Sequence, residues 1–304
     1  MKTIFALFVT TMIFLYPREE EPVYPPVQFC HPTTEFAEFA NDPSFINAHY
    51  EQAEVDFSVE KGLMITYKVK GGDDANAFLI QPDEPSDKWL FVIHEWWGLN
   101  DHIKKEAEKY FNELNDFNVI ALDLYDGNVA SDRETAAKYM QDAEIPRVEA
   151  IINGAYSFAG SNAKIGSVGW CFGGGWSLQT GILGNDQAKA TVMYYGMPEK
   201  DASKLKSLRS DVLGIFAAKE QWISPEIVAE FEKNMRLLNK NITIKNYDAD
   251  HAFANPSRPA YVKEYADEAF ELTVNFLRER IVQEIIIRKT DRIYLLCFYS
   301  KVVP

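Results

Sequence analysis

The chain has 304 residues, of which 47% are hydrophobic and 25% charged, so it has a globular composition and is long enough for one large α/β domain or two small ones. Its formal net charge is −14, and no cluster of lysine and arginine provides the basic surface that nucleic acids or anionic membranes bind. The three cysteines are far apart and odd in number, which argues against a disulfide framework. Neither CxxC nor HExxH occurs, so the sequence predicts no metal site.

The N-terminus has the features of a secretory signal. A basic start is followed by 14 apolar residues, TIFALFVTTMIFLY, and then by the polar turn PREEEP. A membrane span needs about 20 apolar residues, so we predict a signal peptide over 1–16, export to the periplasm or beyond the cell, and no membrane insertion after its removal. No small-residue cleavage site follows, which leaves an uncleaved anchor, or a buried helix in a cytoplasmic protein, as alternatives.

Two segments flank the predicted domain, which we place at 57–282. Residues 17–56 are rich in proline and acidic residues at first and weakly helical afterwards, and we interpret them as a leader. Residues 283–304 are apolar and basic in an otherwise acidic chain, and we interpret them as a C-terminal extension. Cys30 lies in the leader, and we interpret it as incidental. Cys297 lies in the extension and is a weak functional candidate.

Apolar runs and amphipathic segments alternate along the domain. The predicted strands are, in chain order, 64–69, 77–82, 88–95, 117–127, 163–170, 189–196, 211–220 and 242–251. The predicted helices are 102–116, 132–144, 146–160, 173–183, 224–240 and 258–281. This alternation predicts an α/β fold with a mainly parallel central sheet and helices on both faces. In such sheets the ligand site lies beyond the carboxyl ends of the strands.

Cys171 lies at the junction of a predicted strand and a predicted helix, in the sequence GWCFGG. The pattern G-x-C-x-G-G at this junction is that of a nucleophile elbow with cysteine in place of serine. Gly169 and Gly173 remove Cβ atoms that would clash across the tight turn, and the helix N-terminus favours a thiolate. The alternative is a small buried cysteine in a glycine-rich packing turn. The elbow pattern favours Cys171 as the nucleophile of an α/β-hydrolase fold.

The nucleophile needs a base, and His251 follows the last predicted strand. The order nucleophile, acid, histidine is typical of α/β-hydrolases, and Glu220, at the end of strand 211–220, occupies the acid position. Aspartate is commoner there, but glutamate is an allowed variant. Asp248 and Asp250 are alternatives for the acid.

The loop HEWWGLN follows the third predicted strand. Such a loop usually donates one backbone N–H to the oxyanion hole, and the residue after the nucleophile donates the other, which indicates Trp96 and Phe172. Glu95, at the end of the third predicted strand and next to this loop, is a candidate carboxylate beside the thiol. The alternative for Glu95 is a charged residue that merely ends a strand.

Four segments together resemble the dienelactone hydrolase family of α/β-hydrolases, over about residues 60–280: HEWWGLNDHIKKEAEKYF, VIALDLYDG, GSVGWCFGGGWS and YDADHAFANPS. The resemblance implies a Cys–His–Asp triad without a cofactor, in which the thiolate opens a cyclic enol lactone through an acyl-enzyme. It makes Cys171 the nucleophile and His251 the base, with Glu220 at the aspartate position. It also implies that Glu95 hydrogen-bonds the resting thiol and helps to generate the thiolate.

The resemblance further implies two arginines that bind a substrate carboxylate. One falls on Arg133, whereas the position of the other is occupied by Asn255. Arg258 lies three residues further on and compensates only if the loop differs. This departure makes the dienelactone itself a doubtful substrate.

Aromatic residues cluster on the predicted site loops and indicate an aromatic pocket: Trp96, Trp97, Trp170, Trp176, Trp222 and Phe253. We expect Trp97, Trp222 and Phe253 to contact substrate and Trp176 to pack in the core. The leading hypothesis is a cofactor-free hydrolase of a small ester or lactone. The alternatives are a thioesterase or peptidase on the same scaffold, and a hydrolase-fold protein that binds a small molecule without turnover. The sequence leaves the oligomeric state open.

Overall fold

A computed structural model describes residues 32–49 and 60–282 of the chain. The predicted signal peptide over 1–16, the predicted extension over 283–304, and Cys30 and Cys297 lie outside the described residues. Within the described ranges, each helix is too short or too polar to cross a membrane.

Eight strands form one sheet in the order β1-β2-β4-β3-β5-β6-β7-β8. Their bounds are β1 Leu63–Tyr67, β2 Ala75–Ile80, β3 Lys88–Ile93, β4 Asn118–Leu122, β5 Lys164–Trp170, β6 Ala188–Tyr194, β7 Asp211–Ala217 and β8 Ile242–Tyr247. β2 pairs antiparallel with β1 and β4, and all other pairs are parallel. The central strands are buried along nearly their whole length, as expected for a sheet that is covered on both faces. The predicted fold class is confirmed.

The helices connect these strands and cover the sheet. Their bounds are α1 Pro32–Glu38, α2 Pro43–Ala48, α3 Asp101–Leu114, α4 Arg133–Asp142, α5 Ile145–Ala159, α6 Phe172–Leu183, α7 Ala202–Ser207, α8 Pro225–Leu237 and α9 Lys263–Val282. Two short 3₁₀ helices span Phe39–Asn41 and Asn185–Gln187. Side-chain caps fix where several helices begin: Asn100 accepts from the Ile103 N–H, and Asp132 from the Thr135 N–H.

The predicted helix over 258–281 is wrong at its beginning, because α9 starts only at Lys263. The residues before it form consecutive turns, in which the N–H of Arg258 donates to Asn255 and the N–H of Tyr261 donates to Arg258. Proline at position 259 disfavours a helical conformation for the residue before it. Arg258 therefore belongs to the loop after His251 and not to the closing helix.

Residues 32–49, which we call the N-terminal segment, pack onto the domain at the carboxyl ends of the parallel strands. α1 contacts α4 and α6, and α2 contacts α4. Phe36 and Phe45 anchor the segment, since both side chains are fully buried. The segment therefore lies over the edge of the sheet at which the sequence predicts the functional site.

Candidate active site

Cys171 occupies a strained turn between β5 and α6. Its backbone has φ 57° and ψ −122°, a conformation that costs a non-glycine residue roughly 1–3 kcal/mol. A Cβ at Gly169 would lie 2.1 Å from the Gly173 carbonyl oxygen, and a Cβ at Gly173 would lie 2.3 Å from the His94 carbonyl oxygen. Only glycine fits at either position. The turn is therefore an elbow of the predicted kind, with Cys171 at its apex.

The sulfur lies at the amino end of α6, because Cys171 is the N-cap residue of that helix. The first N–H groups of a helix lack partners within the helix, and their partial positive charge stabilises an anion such as a thiolate. Phe172 is the first residue of α6, so its N–H is one of these groups. Cys171 is nevertheless only 2% exposed, so other elements cover it.

Glu220 and His251 form a buried pair beside the sulfur. His251 Nδ1 donates to Glu220 Oε2 at 2.5 Å, and both side chains are buried. Burial lowers the pKa of His251, but the negative charges of Glu220 and Cys171 outweigh it and raise the pKa to about 10. Asp248 and Asp250, the alternative acids, are exposed on the surface. The structure brings Glu220, and neither aspartate, to the imidazole.

His94, which the sequence analysis left without a role, anchors the loop that contains Trp96. Its Nδ1 donates to the Glu95 carbonyl at 2.6 Å, and its Nε2 accepts the Leu124 N–H at 3.1 Å. Complete burial lowers the pKa of His94 to about 4, so the ring is neutral at pH 7 and can make both bonds. The ring thereby ties the loop after β3 to the loop after β4. The predicted oxyanion-hole residue Trp96 lies on this anchored loop.

Glu95 lies at the wall of a cavity of about 310 Å³, together with Trp170 and Asn255. The Glu95 side chain is 4% exposed, and its Oε2 accepts a hydrogen bond of 2.7 Å from Asn255 Nδ2. Cys171 and His251 are not among the residues that line this cavity. The cavity therefore reaches the carboxylate of the site but stops short of the sulfur.

Arg258 is buried beside these groups. Its guanidinium stacks on the Trp97 ring at 5.1 Å, and its Nε and Nη1 atoms make no hydrogen bond with any described residue. Burial lowers the pKa of Arg258, and the negative charges of Glu95 and Cys171 raise it in part. The turns after His251 bring Arg258 back to the site. Arg258 is the residue that compensates for Asn255 only if this loop differs from that of the family.

Three other residues that were predicted to contact substrate pack against the N-terminal segment or against core side chains. Arg133, the first residue of α4, bonds Asn47 of the N-terminal segment at 3.5 Å. The Trp222 ring packs edge-to-face against Phe45 at 5.1 Å, so it faces the N-terminal segment. Phe253 is fully buried and packs against tyrosine rings, among them Tyr195 at 5.7 Å. Its surroundings are those of a core residue.

Trp176 is fully buried, and its predicted place in the core is confirmed.

The family model of the dienelactone hydrolase family matches residues 75–281. The chain belongs to the dienelactone hydrolase family. Among curated relatives, Protein usf of Aquifex pyrophilus is 28% identical, over 72% of this chain and 98% of that protein. Carboxymethylenebutenolidase 1 of Cupriavidus pinatubonensis is 25% identical, over 63% of this chain and 86% of that protein. The crystal structure of a dienelactone hydrolase from Anabaena variabilis is similar in fold, with a TM-score of 0.54 and 17% identity, over 73% of this chain and 98% of that one.

The N-terminal segment precedes the part of the chain that matches the dienelactone hydrolase family, and it supplies a second histidine to the site. His49 Nε2 lies 3.9 Å from Cys171 Sγ, while His49 Nδ1 donates to the Phe45 carbonyl at 2.7 Å. Burial and the charge of His251 hold the pKa of His49 well below its ordinary value of 6.5, so the ring is neutral. Its ring also lies 4.7 Å from that of Trp96. Sequence reasoning missed His49 because nothing in the weak helical pattern around it indicates where the segment docks.

Proposed function

We propose that this dienelactone hydrolase family member, a carboxylic ester hydrolase, cleaves a small ester or lactone by thiol catalysis. One observation carries the proposal: the bonded pair Glu220–His251 lies beside a cysteine held at the apex of a strained elbow. A nucleophile, a base and a group that orients the base are the parts that covalent acyl transfer requires. Curated relatives named carboxymethylenebutenolidase support a lactone as the substrate class.

In the proposed reaction the Cys171 thiolate attacks the carbonyl carbon of the substrate. The carbonyl oxygen becomes an oxyanion, which the N–H groups of Trp96 and Phe172 stabilise. The C–O bond to the leaving oxygen then breaks, and His251 gives that oxygen a proton. In a lactone the leaving oxygen remains attached to the acyl chain. Water next attacks the thioester and gives a proton to His251, and the sulfur leaves as the thiolate with release of the carboxylic acid.

Glu95 acts on the thiol in this proposal. The carboxylate is buried at the end of the cavity and bonded by Asn255. It accepts the thiol proton when substrate binds, so the nucleophile forms at the moment of use. It returns this proton to the sulfur once the product has left. The resemblance to the family supports this role, as does the negative charge of Glu95 next to the site.

Arg258 is the proposed anchor for an anionic group of the substrate. A buried guanidinium with two nitrogens that no described residue bonds is costly unless an anion satisfies them. A carboxylate fits, because its charged oxygens accept strong, charge-assisted hydrogen bonds from a guanidinium. We therefore propose a substrate that carries a carboxylate beside its scissile ester.

The test is hydrolysis of a chromogenic short-chain ester and of a small enol lactone that bears a free carboxylate. The wild type is compared with Cys171→Ala and with Ser157→Ala, a control on the exposed face of α5. We expect turnover by the wild type and the control, and none above background by Cys171→Ala. Turnover that survives the loss of Cys171 contradicts the thiol mechanism. Absence of turnover on every ester, lactone and thioester contradicts the enzymatic function and favours a binding role.

A further inference from the structure

Three buried side chains offer metal-binding atoms at one point of the site. His49 Nε2 lies 3.9 Å from Cys171 Sγ, and these two atoms and a ring nitrogen of His251 all lie within 4.8 Å of one another. In a tetrahedral zinc site the Zn–S distance is about 2.3 Å and the Zn–N distance about 2.0–2.1 Å. These distances place neighbouring ligand atoms about 3.3–3.6 Å apart. Inward shifts of roughly an ångström at most would therefore close the three donors around one Zn²⁺ ion.

Both imidazoles are held in the orientation that a zinc ligand needs. His49 Nδ1 donates to the Phe45 carbonyl, and His251 Nδ1 donates to the Glu220 carboxylate. Each ring therefore has only its Nε2 atom left to bind a metal. The Nε2 atom of His251 is buried and makes no hydrogen bond within the described part of the chain. A histidine whose second nitrogen donates to a carboxylate or a backbone carbonyl is the usual arrangement around zinc.

The charges around the three side chains and the chemistry of their donor atoms determine which metal ion the site prefers. Glu220 bonds His251, and the charge of the buried Glu95 acts on Arg258 together with that of Cys171. Both carboxylates favour a cation, whereas Arg258 opposes it. A thiolate with two imidazoles is a soft donor set, which favours zinc strongly over Mg²⁺ or Ca²⁺. Zn²⁺ is therefore favoured over Mg²⁺ and Ca²⁺ at this set.

We propose that His49, Cys171 and His251 form a zinc-binding site, and that a bound Zn²⁺ ion switches the enzyme off. The sulfur binds as the thiolate and His251 as the neutral ring, so their protons pass to solvent, and a water molecule completes the tetrahedron. The bound sulfur no longer has its charge available for attack on a carbonyl. The zinc site stands on the geometry alone, while its inhibitory effect rests on the proposed function.

This site departs from the sequence-based prediction of no metal site. Its ligands come from three separate parts of the chain, and one of them belongs to the N-terminal segment. No motif of closely spaced residues in the sequence could therefore reveal this metal site. Titration of the protein with Zn²⁺ distinguishes a chain that has this site from one that has no metal site.

The first experiment titrates Zn²⁺ into the full chain in a Cys30→Ser/Cys297→Ser background, against a chromogenic chelator and with a phosphine reductant. We expect one tightly bound Zn²⁺ and no competition by Mg²⁺. His49→Gln should weaken binding by at least about 100-fold, since loss of even a supporting residue typically costs about 10–100-fold. His102→Gln, at a histidine outside the trio, should leave the affinity unchanged. Absence of stoichiometric binding, or equal affinity of His49→Gln, overturns the proposal.

A second experiment needs no variant at the site, so it holds even if His49→Gln folds poorly. Co²⁺ replaces Zn²⁺ in the same background, and its proton NMR spectrum is recorded in water. We expect a thiolate-to-cobalt charge-transfer band and two strongly shifted, exchangeable signals from the Nδ1 protons of His49 and His251. A single shifted imidazole signal, or no charge-transfer band, contradicts the three-ligand site.

The inhibitory effect is measured separately, as the ratio of ester hydrolysis with and without stoichiometric Zn²⁺. We expect zinc to suppress the wild type at least about 100-fold and EDTA to restore it, and His49→Gln to need far more zinc. Zinc binding without any hydrolytic activity would sustain the metal site and contradict the proposed function. Hydrolysis that bound zinc leaves unchanged would overturn the inhibitory part of the proposal.

Discussion

His49 places its Nε2 atom 3.9 Å from the sulfur of Cys171, although 122 positions separate the two residues in the chain. This contact makes the N-terminal segment a wall of the candidate active site. Phe36 adds to the same wall, since its ring stacks over that of His251 with 6.4 Å between the ring centres. The cavity beside Glu95 stops short of the sulfur, so substrate must reach Cys171 after the segment or the inner wall of that cavity has moved.

The cover over Cys171 depends on Phe45. Its ring is fully buried and lies 5.7 Å from the Trp96 ring and 5.1 Å from the Trp222 ring. Phe45→Ala should loosen the segment, because loss of a buried phenylalanine costs about 3–5 kcal/mol. In a Cys30→Ser/Cys297→Ser background we expect alkylation of Cys171 by iodoacetamide to become at least about tenfold faster, which corresponds to only about 1.4 kcal/mol.

The control for that measurement is Phe158→Ala. Phe158 is a partly exposed phenylalanine that packs against Tyr67 and Trp89, away from the N-terminal segment. Its loss should leave the alkylation rate unchanged. Equal rates for wild type and Phe45→Ala would mean that the segment does not limit access to the sulfur.

Glu220→Gln tests the orienting acid. The amide cannot compensate the charge that His251 carries during the reaction, and an aspartate-to-asparagine change at the corresponding position of a serine protease triad costs about 10⁴ in kcat. We expect kcat to fall at least about 100-fold with an unchanged circular dichroism spectrum. Asp248→Asn is the matched control, since Asp248 is exposed and pairs with Lys219. A larger loss in Asp248→Asn would move the role to that residue.

Arg258→Gln tests the anion site. A hydrogen bond to a charged group contributes about 1.5–3 kcal/mol, so KM for the carboxylate-bearing lactone should rise about tenfold or more. KM for a neutral ester should change little, because that substrate makes no ion pair. Arg133→Gln is measured beside it, since Arg133 contacts Asn47 in the structure. If Arg133→Gln gives the larger rise in KM for the lactone, the carboxylate binds there instead.

His94 should make the fold sensitive to acid. Burial lowers its pKa from 6.5 to about 4, so the native state favours the neutral ring. The stability that His94 provides is complete above pH 6.5 and is lost as the pH falls from 6.5 to 4, by roughly 3 kcal/mol in total. The advantage of wild type over His94→Gln in free energy of unfolding, measured in urea, should therefore shrink over this range. If the difference in free energy of unfolding between wild type and His94→Gln stays constant with pH, protonation of His94 is not linked to folding.

Local sequence patterns were sufficient to predict most of the fold and the nucleophile elbow. The apolar runs predicted the eight strands, and the glycines around Cys171 predicted a turn that only glycine permits at Gly169 and Gly173. These features depend on neighbours in sequence, so one sequence suffices to find them.

Contacts between distant segments escaped prediction. His49 reaches Cys171 only because Phe36 and Phe45 bury the N-terminal segment against the domain, and that docking is a tertiary event. Arg258 was named as a replacement for the arginine missing at position 255 only on the condition that the loop differs. Its position depends on successive turns after His251, whereas the sequence predicted a helix from residue 258. Phe253 was predicted to contact substrate because it lies on a predicted site loop, whereas tyrosine rings pack against it.

The measurement that tests the central claim most directly is mass spectrometry of the full chain, quenched in acid during turnover of a slow chromogenic ester. Thiol catalysis predicts a chain whose mass has grown by one acyl group, with the addition located on the peptide that contains Cys171. The adduct should form as fast as the burst of released alcohol and should be absent from Cys171→Ala. Steady turnover without an acylated chain, or an adduct on another residue, would contradict Cys171 as the nucleophile.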